Sequence, residues 1–214
     1  MKKRIIYFII GLFLMIGISL LFFYQQRYNA AEKNSTYRLT GEEKGLLQEG
    51  DIIFRHGFGL ISDAIVKYAQ DIYPISHCGI VVKDSLGELF VIHTVSNTLA
   101  DIDGVQQDNL DKFIKESHLN SVIVSRYNHA DSLLPTKIAE QAKYYLSRQV
   151  PFDHHFDCND STAFFCTELV WKIFNSVLNV DLYNYSSSEN ADCMSFSAFL
   201  HPTRFSIILN HCEE

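Results

Sequence analysis

The chain has 214 residues, of which 47% are hydrophobic and 20% charged, with a formal net charge of −7. Beyond an N-terminal apolar segment, that length suits one globular domain able to build its core without metal or disulfide staples. The acidic balance, with no basic patch after the first residues, excludes a nucleic-acid backbone as the main partner.

Lys2, Lys3 and Arg4 precede an uncharged apolar run from Ile5 to Tyr24. The run matches the roughly 20 residues that a helix needs to cross a hydrocarbon core. Its basic flank predicts a cytoplasmic N-terminus and a domain on the far side. A cleaved signal peptide has a shorter apolar core and small residues at its cleavage site. Here the run ends in Leu20-Leu21-Phe22-Phe23-Tyr24, and Ala30-Ala31 are a weak site, which favours an uncleaved signal anchor. The expected place is a bacterial inner membrane, single-pass, with the alternative of a secreted or periplasmic form after cleavage. No cysteine follows the run closely, so a lipoprotein anchor has no support.

Residues 25–45 are polar without a sustained period and read as a linker, followed by a folded domain over 46–214. Asp51 to Arg55 reads as a first strand. Ser62 is a candidate cap for a helix reaching Ala69, with Ile61, Ile65, Val66 and Ala69 at helical spacing. His77 to Val82 is rich in β-branched residues and reads as a strand. The polar turn Lys83 to Gly87 and the strand Glu88 to Val95 complete a hairpin. Asn109 to Ser117 is expected as a short helix and Val122 to Tyr127 as a strand. Pro135 to Arg148 reads as a helix with proline in its first turn. After a polar loop at Phe152 to Asp160, Ala163 to Leu178 forms an amphipathic helix. Phe165, Leu169, Ile173 and Val177 lie on its apolar stripe, and Ser161 or Thr162 is the expected cap. A helical turn at Ser195 to Leu200 and a strand at Phe205 to Leu209 end the fold. The class is α+β with a mainly antiparallel sheet.

The chemistry centres on Cys166, near the start of that amphipathic helix. Unpaired N–H groups and the helix dipole there favour a thiolate and suit an oxyanion. A buried core cysteine beside Phe164 and Phe165 is the plain alternative. A thiolate nucleophile needs an imidazole to carry its proton. His77 opens the first hairpin strand, and His93 sits inside the apolar run of the second, where a polar ring needs a partner. Alternating residues share a strand face. An odd-numbered turn at 84–88 therefore makes His77 and His93 neighbours, with His93 able to orient His77.

Glu168 has no assigned role, being as readily a solvated or capping carboxylate. The cluster Asp153, His154, His155, Asp157 and Cys158 fits no common metal spacing and reads as a solvated loop. Cys78 alternates away from His77 and is expected in the core. The chain has five cysteines, Cys78, Cys158, Cys166, Cys193 and Cys212, so at least one stays free if the others pair. No cofactor or metal is expected.

The segments Gly50-Asp51-Ile52-Ile53-Phe54, Ser76-His77-Cys78-Gly79-Ile80-Val81, Val91-Ile92-His93 and Phe165-Cys166-Thr167-Glu168-Leu169-Val170-Trp171 together resemble the permuted papain-like hydrolases of the YiiX/YaeF type, in the NlpC superfamily. In that family the histidine strand precedes the cysteine helix, as here, and the resemblance covers most of residues 46–209. It implies Cys166 as nucleophile, His77 as base and His93 in the third polar position. That position is often Glu in the family and His in the related lecithin:retinol acyltransferases. Many relatives carry tyrosine where this chain has Phe152 and Phe165. A thiol hydrolase acting on an amide, such as a cell-wall peptide, is the first expectation. A lipid acyl hydrolase or acyltransferase, on a lipid amide or ester, and a non-catalytic binding module are the alternatives. The sequence leaves the oligomeric state open.

Overall fold

The structure is a computed structural model that describes residues 2–97, 102–183 and 193–213. Helix α1 (Lys2–Asn34) continues well past the apolar run. Its segment Ile6–Asn34 is long and apolar enough to cross a membrane, which fits a single-pass anchor or a signal peptide.

Six strands form one antiparallel sheet in the order β4-β3-β2-β1-β5-β6. They are β1 (Ile52–Arg55), β2 (His77–Lys83), β3 (Leu89–Val95), β4 (Gly104–Asn109), β5 (Ile123–Tyr127) and β6 (Phe205–Asn210). Each face of the sheet has its own core. On one face Ile52, Phe54, Ile80, Val82 and Ile92 pack against helices α5 (Leu134–Ser147) and α6 (Cys166–Leu178). On the other, Ile53, Val81, Val91 and Val124 meet Phe113 and Ile114 of the short helix α4 (Leu110–Lys115). Strand alternation divides the apolar side chains between the two layers, which is why β1 and β2 read as continuous apolar runs.

Four elements differ from the sequence expectation. The polar segment 25–45 carries structure: Tyr37 and Leu39 are buried in the second core, and α2 (Gly41–Leu46) begins in a capping box between Thr40 and Glu43. His211 fastens this segment to the C-terminus, its ring meeting the Tyr37 hydroxyl at 2.5 Å and Glu43 at 2.8 Å. No hydrophobic period announces such a segment, because polar contacts hold it.

Strand β4 was not expected at all. Its sequence, Gly-Val-Gln-Gln-Asp-Asn, offers one β-branched residue. It forms at the sheet edge by pairing with β3 and by close approach to the chain before α6. Gly104, with φ +105°, permits that approach, since a Cβ there would lie 2.2 Å from the Val150 carbonyl oxygen.

Helix α6 starts at Cys166, not at Ala163, with Phe165 as its N-cap and no side-chain cap. The segment before it is pulled into extended pairing. Phe164 N–H donates to the Pro151 carbonyl at 3.0 Å, and the Thr94 hydroxyl donates to the Phe164 carbonyl at 3.1 Å. Likewise α3 (Leu60–Ala69) starts after Gly59 rather than at Ser62.

Candidate functional site

The hairpin register decides the geometry on the sheet side. Ile80 pairs with Ile92 and Lys83 with Leu89, leaving five residues, 84–88, between the strands. The turn is odd, so His77 and His93 lie on one face. Their rings meet, His77 Nε2 to His93 Nδ1, at 2.8 Å. Gly79 sits between them on that face, and a Cβ there would approach Val91 Cγ1 to 2.6 Å and His93 Cβ to 3.0 Å. Glycine leaves the room in which the two rings lie side by side.

The series continues into the unexpected strand. His93 Nε2 lies 3.2 Å from Asp108 Oδ2, and Lys112 Nζ contacts the other Asp108 oxygen at 2.8 Å. Burial works to raise the Asp108 carboxyl, but its bonds to His93 and Lys112 hold it well below the usual carboxylate range. An ionised carboxylate can only accept, so His93 Nε2 carries the proton and its Nδ1 offers a lone pair. His77 Nε2 must then donate, which leaves His77 Nδ1 unprotonated. The ring nearest the sulfur is held as a base by a carboxylate two residues removed along the relay.

Burial pushes His77 down to about 4, against the opposing pull of the Cys166 sulfur, and it also lowers His93. Arg55, the strand partner of His77, adds to both shifts. Its guanidinium stacks 4.3 Å from the Phe113 ring centroid and donates to the Phe113 carbonyl at 2.7 Å. Phe113 in turn touches both imidazoles, with centroid distances of 5.9 Å to His77 and 5.4 Å to His93.

Cys166 is the first residue of α6 and remains partly accessible, as does His77. The Cys78 thiol and the His77 ring both lie near enough to its sulfur to act on it electrostatically. The Cys78 thiol first and the His77 ring second outweigh desolvation and lower the Cys166 thiol well below its ordinary value. The N–H groups of the uncapped first turn face the same end of the helix. Cys78 is buried in the first core, as alternation predicts, and its thiol also lies near Cys166, a neighbour that alternation alone does not reveal. The sheet face that carries Cys78 is the one on which α6 packs, so a core residue at the strand start lies against the first residue of the helix.

The loop before α6 is organised by Asp153, which is buried and accepts from the His155 and Asp157 N–H groups. Cys158 is disulfide-bonded to Cys193, while Cys78, Cys166 and Cys212 are free. Glu168 is fully buried, with Lys172 at 3.6 Å, and desolvation raises its carboxyl to about 7. It points into the packing of this loop rather than into solvent. Tyr183, also buried, donates to the Ser195 carbonyl at 3.1 Å, and burial first, then the nearby Cys78 and Cys166 sulfurs, raise its hydroxyl well above the ordinary value. Asp108 and Tyr183 are site neighbours absent from the sequence analysis; the polar stretch after the hairpin holds Asp101, Asp103, Asp108 and Asp111, and nothing in its pattern singles out Asp108.

Residues 46–196 match the family described as permuted papain-like amidase enzymes, YaeF/YiiX, C92 family. The chain belongs to that family. A solved structure, that of the metalloprotein yiiX from Escherichia coli O157:H7, superposes with a TM-score of 0.60 at 21% identity. The match covers 76% of this chain and 97% of the yiiX chain, and it shows the shared fold. No curated protein matches. Family membership makes the chain a permuted papain-like amidase by class, and it accounts for the antiparallel sheet with the cysteine helix late in the chain.

Proposed function

We propose that this amidase-family domain is a membrane-anchored thiol hydrolase that cleaves an amide bond outside the cytoplasm. Cys166 is the nucleophile, His77 the base, His93 a positioning residue and Asp108 the carboxylate that fixes the tautomers of both rings. The observation that carries this reading is the bonded series His77, His93 and Asp108, with the Cys166 sulfur near enough to His77 for each to shift the other.

The steps follow from that order. His77 Nδ1 takes the Cys166 S–H proton as the sulfur attacks the carbonyl carbon, and the oxyanion faces the free N–H groups at the start of α6. The imidazolium gives its proton to the departing amine, leaving a thioester on Cys166. Water, deprotonated by His77, then hydrolyses the thioester and restores the thiol. His93 and Asp108 hold the His77 ring in place throughout and stabilise its transient positive charge.

Two observations support the location and the substrate. The Cys158–Cys193 disulfide suits an oxidising compartment, in keeping with the basic residues ahead of the apolar run. Phe164 and Phe165, the large apolar side chains just before Cys166, are buried at 2% and 3% exposure. They form core rather than a lipid-binding wall, which favours a peptide-like amide over a lipid. The test is hydrolysis of a panel of peptide amides and lipid esters by the full chain and by Cys166→Ala. Amide cleavage that vanishes in a folded Cys166→Ala variant is the expected result. Full activity in that variant contradicts the mechanism, and cleavage of the esters alone contradicts the substrate class.

A further inference from the structure

A second histidine cluster lies past the end of β1. His56 follows that strand, Asp63 lies in the first turn of α3, and His118 lies between α4 and β5. The His118 N–H donates to the His56 carbonyl at 2.8 Å, and the two rings lie 4.4 Å apart. His56 Nε2 meets Asp63 Oδ1 at 2.9 Å. One ligand atom from each of the three side chains lies within 4.8 Å of the other two.

His118 Nε2 is buried and has no hydrogen-bond partner among the described residues. A buried imidazole nitrogen without a partner is costly. Phe58 covers the His118 ring at 4.5 Å, and Tyr28 of α1 lies at 6.0 Å. The hydroxyls of Tyr24 and Tyr28 donate to the other Asp63 oxygen, Oδ2, leaving Oδ1 turned toward the histidines.

We propose that His56, Asp63 and His118 bind a divalent transition-metal ion of the zinc type, at a site separate from the Cys166 centre. Two imidazoles and one carboxylate form a common zinc donor set and leave at least one position for water. Bonds of about 2.0–2.1 Å to tetrahedral zinc place ligand atoms roughly 3.3 Å apart. The cluster reaches that spacing by small side-chain rotations. His56 moves its Nε2 proton to Nδ1 on binding, and the ion takes the place of that proton against Asp63. Burial keeps His118 in the neutral form that a metal needs. Three elements separate in sequence are thereby fastened beside the C-terminal part of α1. The tyrosine hydroxyls on Asp63 act as the outer shell that orients a ligating carboxylate.

The test uses the full chain in detergent micelles, in a Cys166→Ser background so that the nucleophile cannot itself hold the metal. Cobalt(II) is titrated and followed by its visible absorption, then displaced with zinc. One equivalent should bind, and Asp63→Asn and His118→Gln should each weaken binding at least tenfold, with circular dichroism confirming the fold. Weaker binding near pH 5 than at pH 7.5 is also expected, as the imidazoles protonate. X-ray absorption of the zinc-loaded chain needs no ligand variant and should show a nitrogen and oxygen shell with imidazole scattering. Absence of binding, affinity unchanged in both variants, or sulfur in the shell overturns the proposal.

Discussion

The histidine wall of the candidate site rests on strand register, whereas the cysteine wall rests on a loop and a helix start. On the sheet, His77, Gly79 and His93 are placed by a five-residue turn and by ladder pairing, and Asp108 by the pairing of β3 with β4. On the helix side, Cys166 owes its position to the loop 151–165, closed by Phe164 pairing back to Pro151, the buried Asp153 and the disulfide at Cys158. Register is a discrete quantity, because a slip of one residue turns every side chain to the other face. The loop has no such repeat and must be specified contact by contact.

The most damaging way to probe this contrast is to remove the base. His77→Ala should lower amide hydrolysis by about 10²–10⁴-fold while the fold stays intact, as read by steady-state kinetics and circular dichroism. His93→Ala should cost less. Losses equal to or greater than those of His77→Ala would mean that the two imidazoles have the opposite roles. Asp108→Asn should lower the rate by about 10²-fold, through loss of the proton order along the relay and misplacement of the His77 ring. A structural role alone for Asp108 would lower stability without moving the pH profile of the rate, so that profile is the decisive reading.

A smaller effect tests the register itself. Gly79→Ala places a methyl group 2.6 Å from Val91 Cγ1 and 2.8 Å from the Ile92 carbonyl oxygen. It should destabilise the domain by about 1–3 kcal/mol, measured by urea unfolding, and displace His93. A neutral outcome would mean that the hairpin yields more readily than its pairing suggests.

The mildest effect concerns pH. His77 titrates near 4 in the folded chain against an ordinary value of 6.5. Between those values the unfolded chain binds more protons, so this contribution is complete above pH 6.5 and fades as pH falls toward about 4. The urea midpoint should decline over that window, and His77→Gln should flatten the decline. An unchanged slope in that variant would place the titration on another group.

The same contrast explains what was legible in the sequence. β1, β2, β3, β5, β6 and α5 follow from apolar runs, alternation and proline placement. The adjacency of His77 and His93 follows from counting the turn. Strand β4 was invisible because an edge strand of Gln, Asp and Asn carries no apolar signature, and Asp108 was lost with it. The start of α6 was placed three residues early, because Ser161 and Thr162 look like caps but are held outside the helix by Phe164 pairing with Pro151. The proximity of Cys78 to Cys166 was missed because alternation predicts which face a residue takes and not which helix end lies on that face. Residues 37–45, part of the expected linker, carry no apolar stripe because their order comes from Thr40, Glu43 and His211.

The most direct test of the relay is the alkylation rate of each free thiol as a function of pH in the full chain, followed by mass spectrometry. Cys166 should react with an apparent pKa well below that of Cys212, whose thiol burial pushes up, and His77→Ala should return Cys166 to ordinary behaviour. A Cys166 that reacts like an ordinary thiol, or one indifferent to His77→Ala, would contradict the thiolate–imidazole pair on which the proposed hydrolase rests.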